Sequence, residues 1–363
     1  MFNKTKIALA VALIVPGIAL AEIEYDLVDV NADRKKIDAG FTWVPTKTGG
    51  NVSRTGQWGF KNEARTEQTS GGKADSTIVQ LGSLNDSTVY QDASASTSTV
   101  YQQGDKNTAK VTLDAADGTT SFIQQTGDNH SAAVAIWGEY NDSDILQAGD
   151  SQSAYAYVAG DRNTIDSVQV GNENDVAVYI YGNDNTFDND QGGWANTAYA
   201  SISGNRNDVK TSQWGEYNEG KVSVEGNRND ITLQQNGAYQ TASLAVDGNA
   251  NYIVTDQDGS TGSDITANIG GNRNSLQATQ EDGAYNSIDV LLKSSNDNDI
   301  QLKQKDSYGG SIDIDFAKTD HSFVAALQTG WANTATINST NGSYDAFIVK
   351  QDGEGNYAVS VVD

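Results

Sequence analysis

His130 and His321 are the only imidazoles in the sequence, and cysteine is absent. Thiol nucleophiles, disulfides and thiolate metal sites are therefore excluded. His130 stands where comparable turns carry asparagine, and His321 lies in the irregular stretch Lys318 to Ser322. Neither has partners that spacing identifies, so both read as solvated turn residues. Serine and aspartate are plentiful, yet no G-x-S-x-G elbow, P-loop or zinc spacing occurs. Gly160-Asp161-Arg162-Asn163 and Gly182-Asn183-Asp184-Asn185 have the composition of calcium loops. Neither the EF-hand spacing nor the glycine-pair repeat of calcium-binding β-rolls accompanies them. The sequence thus predicts no enzyme, no cofactor and no metal site. The polar chemistry it arranges with regularity is that of primary amides, which donate and accept hydrogen bonds at once.

Glutamine recurs ahead of a short turn at Gln57, Gln80, Gln102, Gln125, Gln147, Gln169, Gln191, Gln213, Gln235, Gln257, Gln280, Gln304, Gln328 and Gln351, in steps of 22 to 24 residues. Eight of them (Gln57, Gln80, Gln102, Gln169, Gln191, Gln213, Gln328 and Gln351) open a full Q-x-G-x-x-N match. Half a period later comes a second turn, G-x-x-N, clearest at Gly138-Asn141, Gly160-Asn163, Gly182-Asn185, Gly204-Asn207, Gly226-Asn229 and Gly248-Asn251. Each repeat is two eleven-residue halves, in which a four-residue x-G-x-x link joins seven-residue segments.

Those segments alternate. Asn196, Ala198, Ala200 and Ile202 share one parity, as do Asn229, Ile231, Leu233 and Gln235, while Asp230, Thr232 and Gln234 lie between. Period two over seven residues is a half-buried strand, and Gly and Asn at the breaks supply the positive φ of tight turns. A unit this small must stack on copies of itself to bury its face. The predicted fold is all-β: a β-solenoid of about fourteen strand–turn–strand rungs forming two facing parallel sheets, cross-β and amyloid-like, with a sheet spacing of ~10 Å.

An inward amide that loses its partner costs about 1–3 kcal/mol. Stacking lets each one bond the identical side chain above and below. The glutamines above form one predicted ladder. Asn62, Asn85, Asn107, Asn141, Asn163, Asn174, Asn185, Asn196, Asn207, Asn218, Asn229, Asn251, Asn333 and Asn356 form the other. Since Gln213 and Asn218 flank one turn, a Gln and an Asn ladder are expected at the same corner, where they also hold register.

Residues 1–21 read as a secretory signal peptide: Lys4 and Lys6, an apolar stretch from Ile7 to Leu20, then cleavage between Ala21 and Glu22. Residues 22–50 lie outside the repeat and read as a targeting segment, a disordered leader or a cap, and residues 51–363 are the repeat region. The formal charge of −25 argues against nucleic acid and anionic membranes as partners, and no segment of the mature chain is apolar for long enough to insert in a bilayer. Asp86, Asp142, Asp175, Asp208, Asp230 and Asp299 follow the turn asparagines. They read as a solvated face or as charges that slow assembly until screened. Trp58, Trp194, Trp214 and Trp331 fall in the Gln-type turns and Trp137 in the opposite one, for turn packing or as a surface column.

The pattern Q-x-G-x-x-N-x-A resembles the curlin family, subunits of functional amyloid fibres on the Gram-negative cell surface. Gln191-Gly192-Gly193-Trp194-Ala195-Asn196-Thr197-Ala198 and Gln328-Thr329-Gly330-Trp331-Ala332-Asn333-Thr334-Ala335 carry it residue by residue, and it extends over roughly residues 51–363. The chain departs from the family in having Asn163, Asn185, Asn207 and Asn229 where serine is usual, and Ile180, Ile202 or Val224 at a second glutamine position. The resemblance implies a secreted fibre subunit for biofilm matrix and adhesion, with itself as partner and dedicated export and nucleation proteins besides. No helix, charge cluster or proline visibly covers either end of the repeat, so head-to-tail strand addition is expected. The alternative is a non-polymerising surface adhesin or an ice-binding solenoid.

Overall fold

Alternation along each segment produces strands, and the 22-residue step brings each strand beside its copy one repeat on. Thr164–Asn172 pairs in parallel with Thr186–Trp194, setting Ile165 opposite Phe187 and Gln169 opposite Gln191. Ser153–Ala159 pairs likewise with Asp175–Tyr181. The computed structural model describes residues 50–69, 72–293, 295–315, 319–339 and 343–362. These hold 28 strands and no helix. A first sheet of 14 parallel strands contains the glutamines, and the intervening strands stack into a second sheet facing it. This is the expected β-solenoid. The signal peptide, the Ala21–Glu22 cleavage site and residues 22–49 lie outside the described residues.

Two details differ from expectation. Strands of the first sheet other than Thr97–Gln103 run nine or ten residues, not seven, because pairing continues through the x-G step of the Gln corner: Gly171 opposes Gly193 and Asn172 opposes Trp194. The second sheet is also divided, into 11 strands and a C-terminal set of three. The division falls where the repeat step lengthens to 23 and 24 residues. Single bridges, Asp264 with Ser287 and Ser287 with Ser311, carry the stack across. Ile265, Ile269, Ile288, Val290, Leu292 and Ile312 stay fully buried there. The apolar stack therefore survives a backbone irregularity that the ladder does not, since hydrophobic burial has no directional requirement.

The core is a thin sandwich of the two inward faces, with Ala156, Val178, Ala200 and Val222 from the second sheet and Ile165, Phe187, Val209 and Ile231 from the first. On the preceding rungs the same first-sheet column holds Ser76, Ser98, Ser121 and Ser143, all buried. The hydroxyls of Ser98, Ser121 and Ser143 have no hydrogen-bond partner among the described residues. The adjacent inward column compensates, with Ile78, Val100, Ile123 and Ile145 on those rungs and Ser167, Asn189 and Thr211 on the ones that follow, all buried.

The corners are as constrained as the core. Gly204 has φ 128°, and a Cβ there would lie 1.8 Å from the carbonyl oxygen of Gly226 on the next rung. Glycine is required both for the turn and for the 22-residue stacking distance. Two residues on, Arg206 (φ 60°) takes the left-handed conformation without glycine, because its side chain points into solvent.

Gly204→Ala should therefore destabilise the solenoid by at least about 1–3 kcal/mol, concentrated in the rungs it separates. Amide hydrogen exchange should speed up selectively around Ser203–Asn207 and Glu225–Asn229; uniform protection across the chain would contradict this.

Candidate functional site

All fourteen predicted glutamines come together in one column. Each side-chain Nε2 from Gln57 to Gln328 donates to the Oε1 of the glutamine one rung later, at 2.6–3.0 Å through to Gln351. The column lies inside the fold, with Gln80, Gln102, Gln125, Gln213 and Gln304 fully buried. The second N–H of the amide crosses the interior. Gln169 donates to the Ser153 carbonyl at 2.9 Å, Gln191 to Asp175 at 3.0 Å and Gln213 to Thr197 at 2.8 Å, each on the second sheet. One amide thereby serves rung-to-rung stacking and sheet-to-sheet closure, which is why glutamine, and not another turn-former, occupies the strand end.

The predicted asparagines separate into two ladders at opposite corners. Asn141, Asn163, Asn185, Asn207, Asn229 and Asn251 lie at the corner away from the glutamines. Each Oδ1 accepts both the backbone and the side-chain N–H of the next asparagine, as Asn207 does from Asn229 at 3.0 and 3.1 Å. Each side-chain nitrogen also reaches the turn glycine carbonyl of the following rung, as Asn163 does at Gly182, 2.8 Å. This ladder continues through Asn274 and Asn298, both absent from the predicted ladder, although Gly271-Asn274 keeps the G-x-x-N spacing and only Asn298 has a serine, Ser295, in the glycine position.

Asn62, Asn85, Asn107, Asn174, Asn196, Asn218, Asn333 and Asn356 occupy the glutamine corner, where the Asn ladder is interrupted. His130, Gln152, Gln240 and Ser263 take its place on some rungs, and Gly310 on another. The expectation of a single Asn ladder beside the glutamines is thus corrected: the two turns, half a period apart in sequence, each carry an Asn ladder of their own.

Two further amide sets were missed. Gln68 and Gln91 pair at 2.8 Å across the first two rungs of the second sheet; both stand six residues after a turn asparagine, which was the available signal. An exposed ladder runs through Asp161, Asn183, Asn205, Asn227, Asn249, Asn272, Asn296 and Asp320, each Oδ1 accepting the backbone N–H one rung earlier. The aspartates and asparagines that resembled calcium loops satisfy turn amides in this way.

His130 is not a solvated turn residue. It is 1% exposed and stands in the ladder of the glutamine corner. Its backbone N–H donates to Asn107, its Nδ1 accepts from the Gln152 backbone N–H at 3.3 Å, and its Nε2 donates to the Thr126 carbonyl at 3.1 Å. An imidazole that accepts at Nδ1 and donates at Nε2 is neutral. Burial, outweighing the attraction of nearby Asp150 and Asp128, holds it below the usual histidine value. His321, by contrast, is an exposed turn residue that stacks on Tyr344 and lies 3.7 Å from Asp297.

Asp208 and Asp230 are register partners, as the repeat predicts. Burial, followed by Asp208, raises the Asp230 carboxyl. The largest resolved shift falls on Asp190, outside that row: burial, then Asp188 and Asp166, push it up to about 6. A carboxyl raised on folding stabilises the fold below its unfolded value, and that contribution is lost as pH rises through about 6.

The tryptophans divide. Trp214 lies over Gly192 of the preceding rung, whose Cβ would meet its ring at 2.0 Å. Trp58, Trp194 and Trp331 are exposed. Trp137 ends a strand of the second sheet, bonded to Asp114.

Gln213→Glu should be destabilising by about 3–5 kcal/mol at neutral pH, because the carboxylate would face the Gln235 Oε1 and the Thr197 and Asn218 carbonyls, all acceptors. Its folded pKa is thereby raised, so stability should recover as pH falls from neutrality and be fully restored by about pH 4; denaturation at two pH values checks this. For His130 the sign is opposite. A histidine lowered on folding costs stability as pH falls below about 6.5, at up to about 1.4 kcal/mol per pH unit until the folded value is passed. His130→Asn should remove that acid loss while leaving stability near pH 7.5 little changed. Neither a known protein family nor any curated protein matches this chain.

Proposed function

We propose that this protein is a structural subunit of a fibre, a secreted, curlin-like chain that polymerises head to tail by strand addition. The observation that carries the reading is the polarity of the ladders. Glutamine amides donate toward the C-terminal rungs throughout, so among the described residues Gln57 Oε1 accepts no hydrogen bond, and Gln351 Nε2 donates only sideways, to Thr334 at 2.7 Å. Asparagines of the same corner donate the other way, and Asn356 Oδ1 is likewise an unused acceptor. The two terminal rungs thus present complementary groups, and a second copy stacked in the same register would satisfy them as each internal rung satisfies its neighbours.

Among the described residues, the terminal strands Val52–Phe60 and Ala346–Glu354 each pair on one side only, the geometry that strand addition uses. The acidic surface would set the rate, since bringing two chains of charge −25 together is opposed until screened. A non-polymerising adhesin or ice-binding solenoid shares the fold and differs in what the ends do.

The purified chain, incubated for days, should form filaments visible by negative-stain microscopy that bind amyloid dyes and diffract at about 4.8 Å along the axis. Added salt should shorten the lag. Substituting Gln351→Glu should slow growth several-fold by placing a carboxylate against the next Gln57 Oε1. A chain that stays monomeric at high concentration would sink the reading, and thermal hysteresis in the monomer would favour ice binding.

A further inference from the structure

The described residues contain no sulfur, for the chain has no cysteine and its one methionine is residue 1. A one-electron oxidant therefore meets no thiol or thioether there, the side chains that ordinarily intercept it. The tyrosines and tryptophans remain, and the fold gathers tyrosines into pairs. On the outward face of the second sheet, Tyr155 and Tyr179 have ring centroids 5.4 Å apart, Tyr157 and Tyr181 5.4 Å, Tyr179 and Tyr199 5.8 Å, and Tyr157 and Tyr179 6.3 Å. At the glutamine corner Tyr217 stacks on Tyr239 at 5.1 Å with the rings 10° from parallel. Every pair joins neighbouring rungs. Burial raises the Tyr155 phenol, and Tyr179, Tyr157 and Tyr181 add to the shift, as hydroxyls converging on one patch would.

We propose that these stacked tyrosines are a site of oxidative cross-linking, in which a peroxide-driven haem peroxidase couples neighbouring rungs through dityrosine. Each phenol loses one electron to the oxidant and one proton to solvent. The two phenoxyl radicals join through a carbon–carbon bond between ring positions ortho to oxygen, and the two displaced ring hydrogens move to the oxygens, restoring both phenols. One peroxide accepts the two electrons and two protons and leaves as two waters. The sheet register supplies the encounter, because it holds both rings side by side before either is oxidised. The product is a covalent staple between residues one repeat apart, in a chain with no disulfide to do that work.

The test uses the purified full chain at low concentration, as a mixture of heavy- and light-nitrogen chains, treated with haem peroxidase and hydrogen peroxide. Dityrosine fluorescence is read, and proteolytic peptides joined with loss of two hydrogens are mapped by mass spectrometry. The expected result is same-label joins within Tyr155, Tyr157, Tyr179, Tyr181 and Tyr199 and between Tyr217 and Tyr239. Replacing Tyr155, Tyr157, Tyr179, Tyr181, Tyr199 and Tyr239 by Phe keeps the ring stacks and should lower dityrosine several-fold with an unchanged circular dichroism spectrum. Tyr140→Phe with Tyr252→Phe, which touches none of these pairs, should leave it unchanged. Joins whose labels mix statistically, with light–heavy pairs as common as same-label pairs, or joins chiefly at Tyr140 and Tyr252, would overturn the proposal. So would oxidant consumption that yields no dityrosine.

Discussion

Everything in this fold depends on one constraint: identical residues of successive repeats must lie at the same height in register, so that an amide meets its own copy. Parallel pairing meets that requirement along each of the 14 strands of the first sheet. Backbone ladders alone tolerate slippage, since any strand can pair with any other. The glutamine column does not, because a slip of one residue would carry Gln213 out of reach of Gln191, Gln235 and the Thr197 carbonyl together. Apolar burial drives the stacking while the amides decide which stacking.

The same requirement explains the corners. Glycine is held at Gly204 by the approach of the Gly226 carbonyl, not by turn conformation alone, and the left-handed residue two positions later tolerates Arg206, Tyr217 or Tyr239. Side chains at those permissive positions point outward, so they vary, and their variation writes the surface: salt bridges such as Arg162–Asp184 at 2.6 Å in one region and stacked rings in another. Because the backbone repeats, any outward residue type that recurs becomes a column. Exposed amides, carboxylates and phenols all do so here, with different consequences. Neighbouring asparagines bond, burial together with neighbouring Asp208 raises the Asp230 carboxyl, and neighbouring tyrosines stack.

His130 illustrates how strictly the buried ladder selects by hydrogen-bonding pattern and how loosely by residue type. A neutral imidazole offers one acceptor and one donor and so can stand in for an asparagine between Asn107 and Gln152. The substitution introduces a titration into an otherwise pH-indifferent column. Asp190 has the opposite dependence, so acidification acts on the two sites in opposing directions.

The sequence by itself determined the strands, their parity, the stacking period and the membership of the glutamine column, because each is a local pattern repeated many times and a period does not depend on knowing the fold. Gln169, Gln191 and Gln213 were legible as partners before any coordinates. Only the tertiary structure decided that the asparagines form two ladders at opposite corners, that the second sheet breaks where the repeat lengthens, and that His130 is buried. It also revealed the outer ladder through Asn183, Asn205 and Asn227 and the gathering of Tyr155, Tyr157 and Tyr179. The reason is physical. Periodicity says which residues recur at one height, but which side of the wall a turn residue faces depends on the φ of the residues around it and on the neighbouring rung, and these exist only once the rungs are stacked.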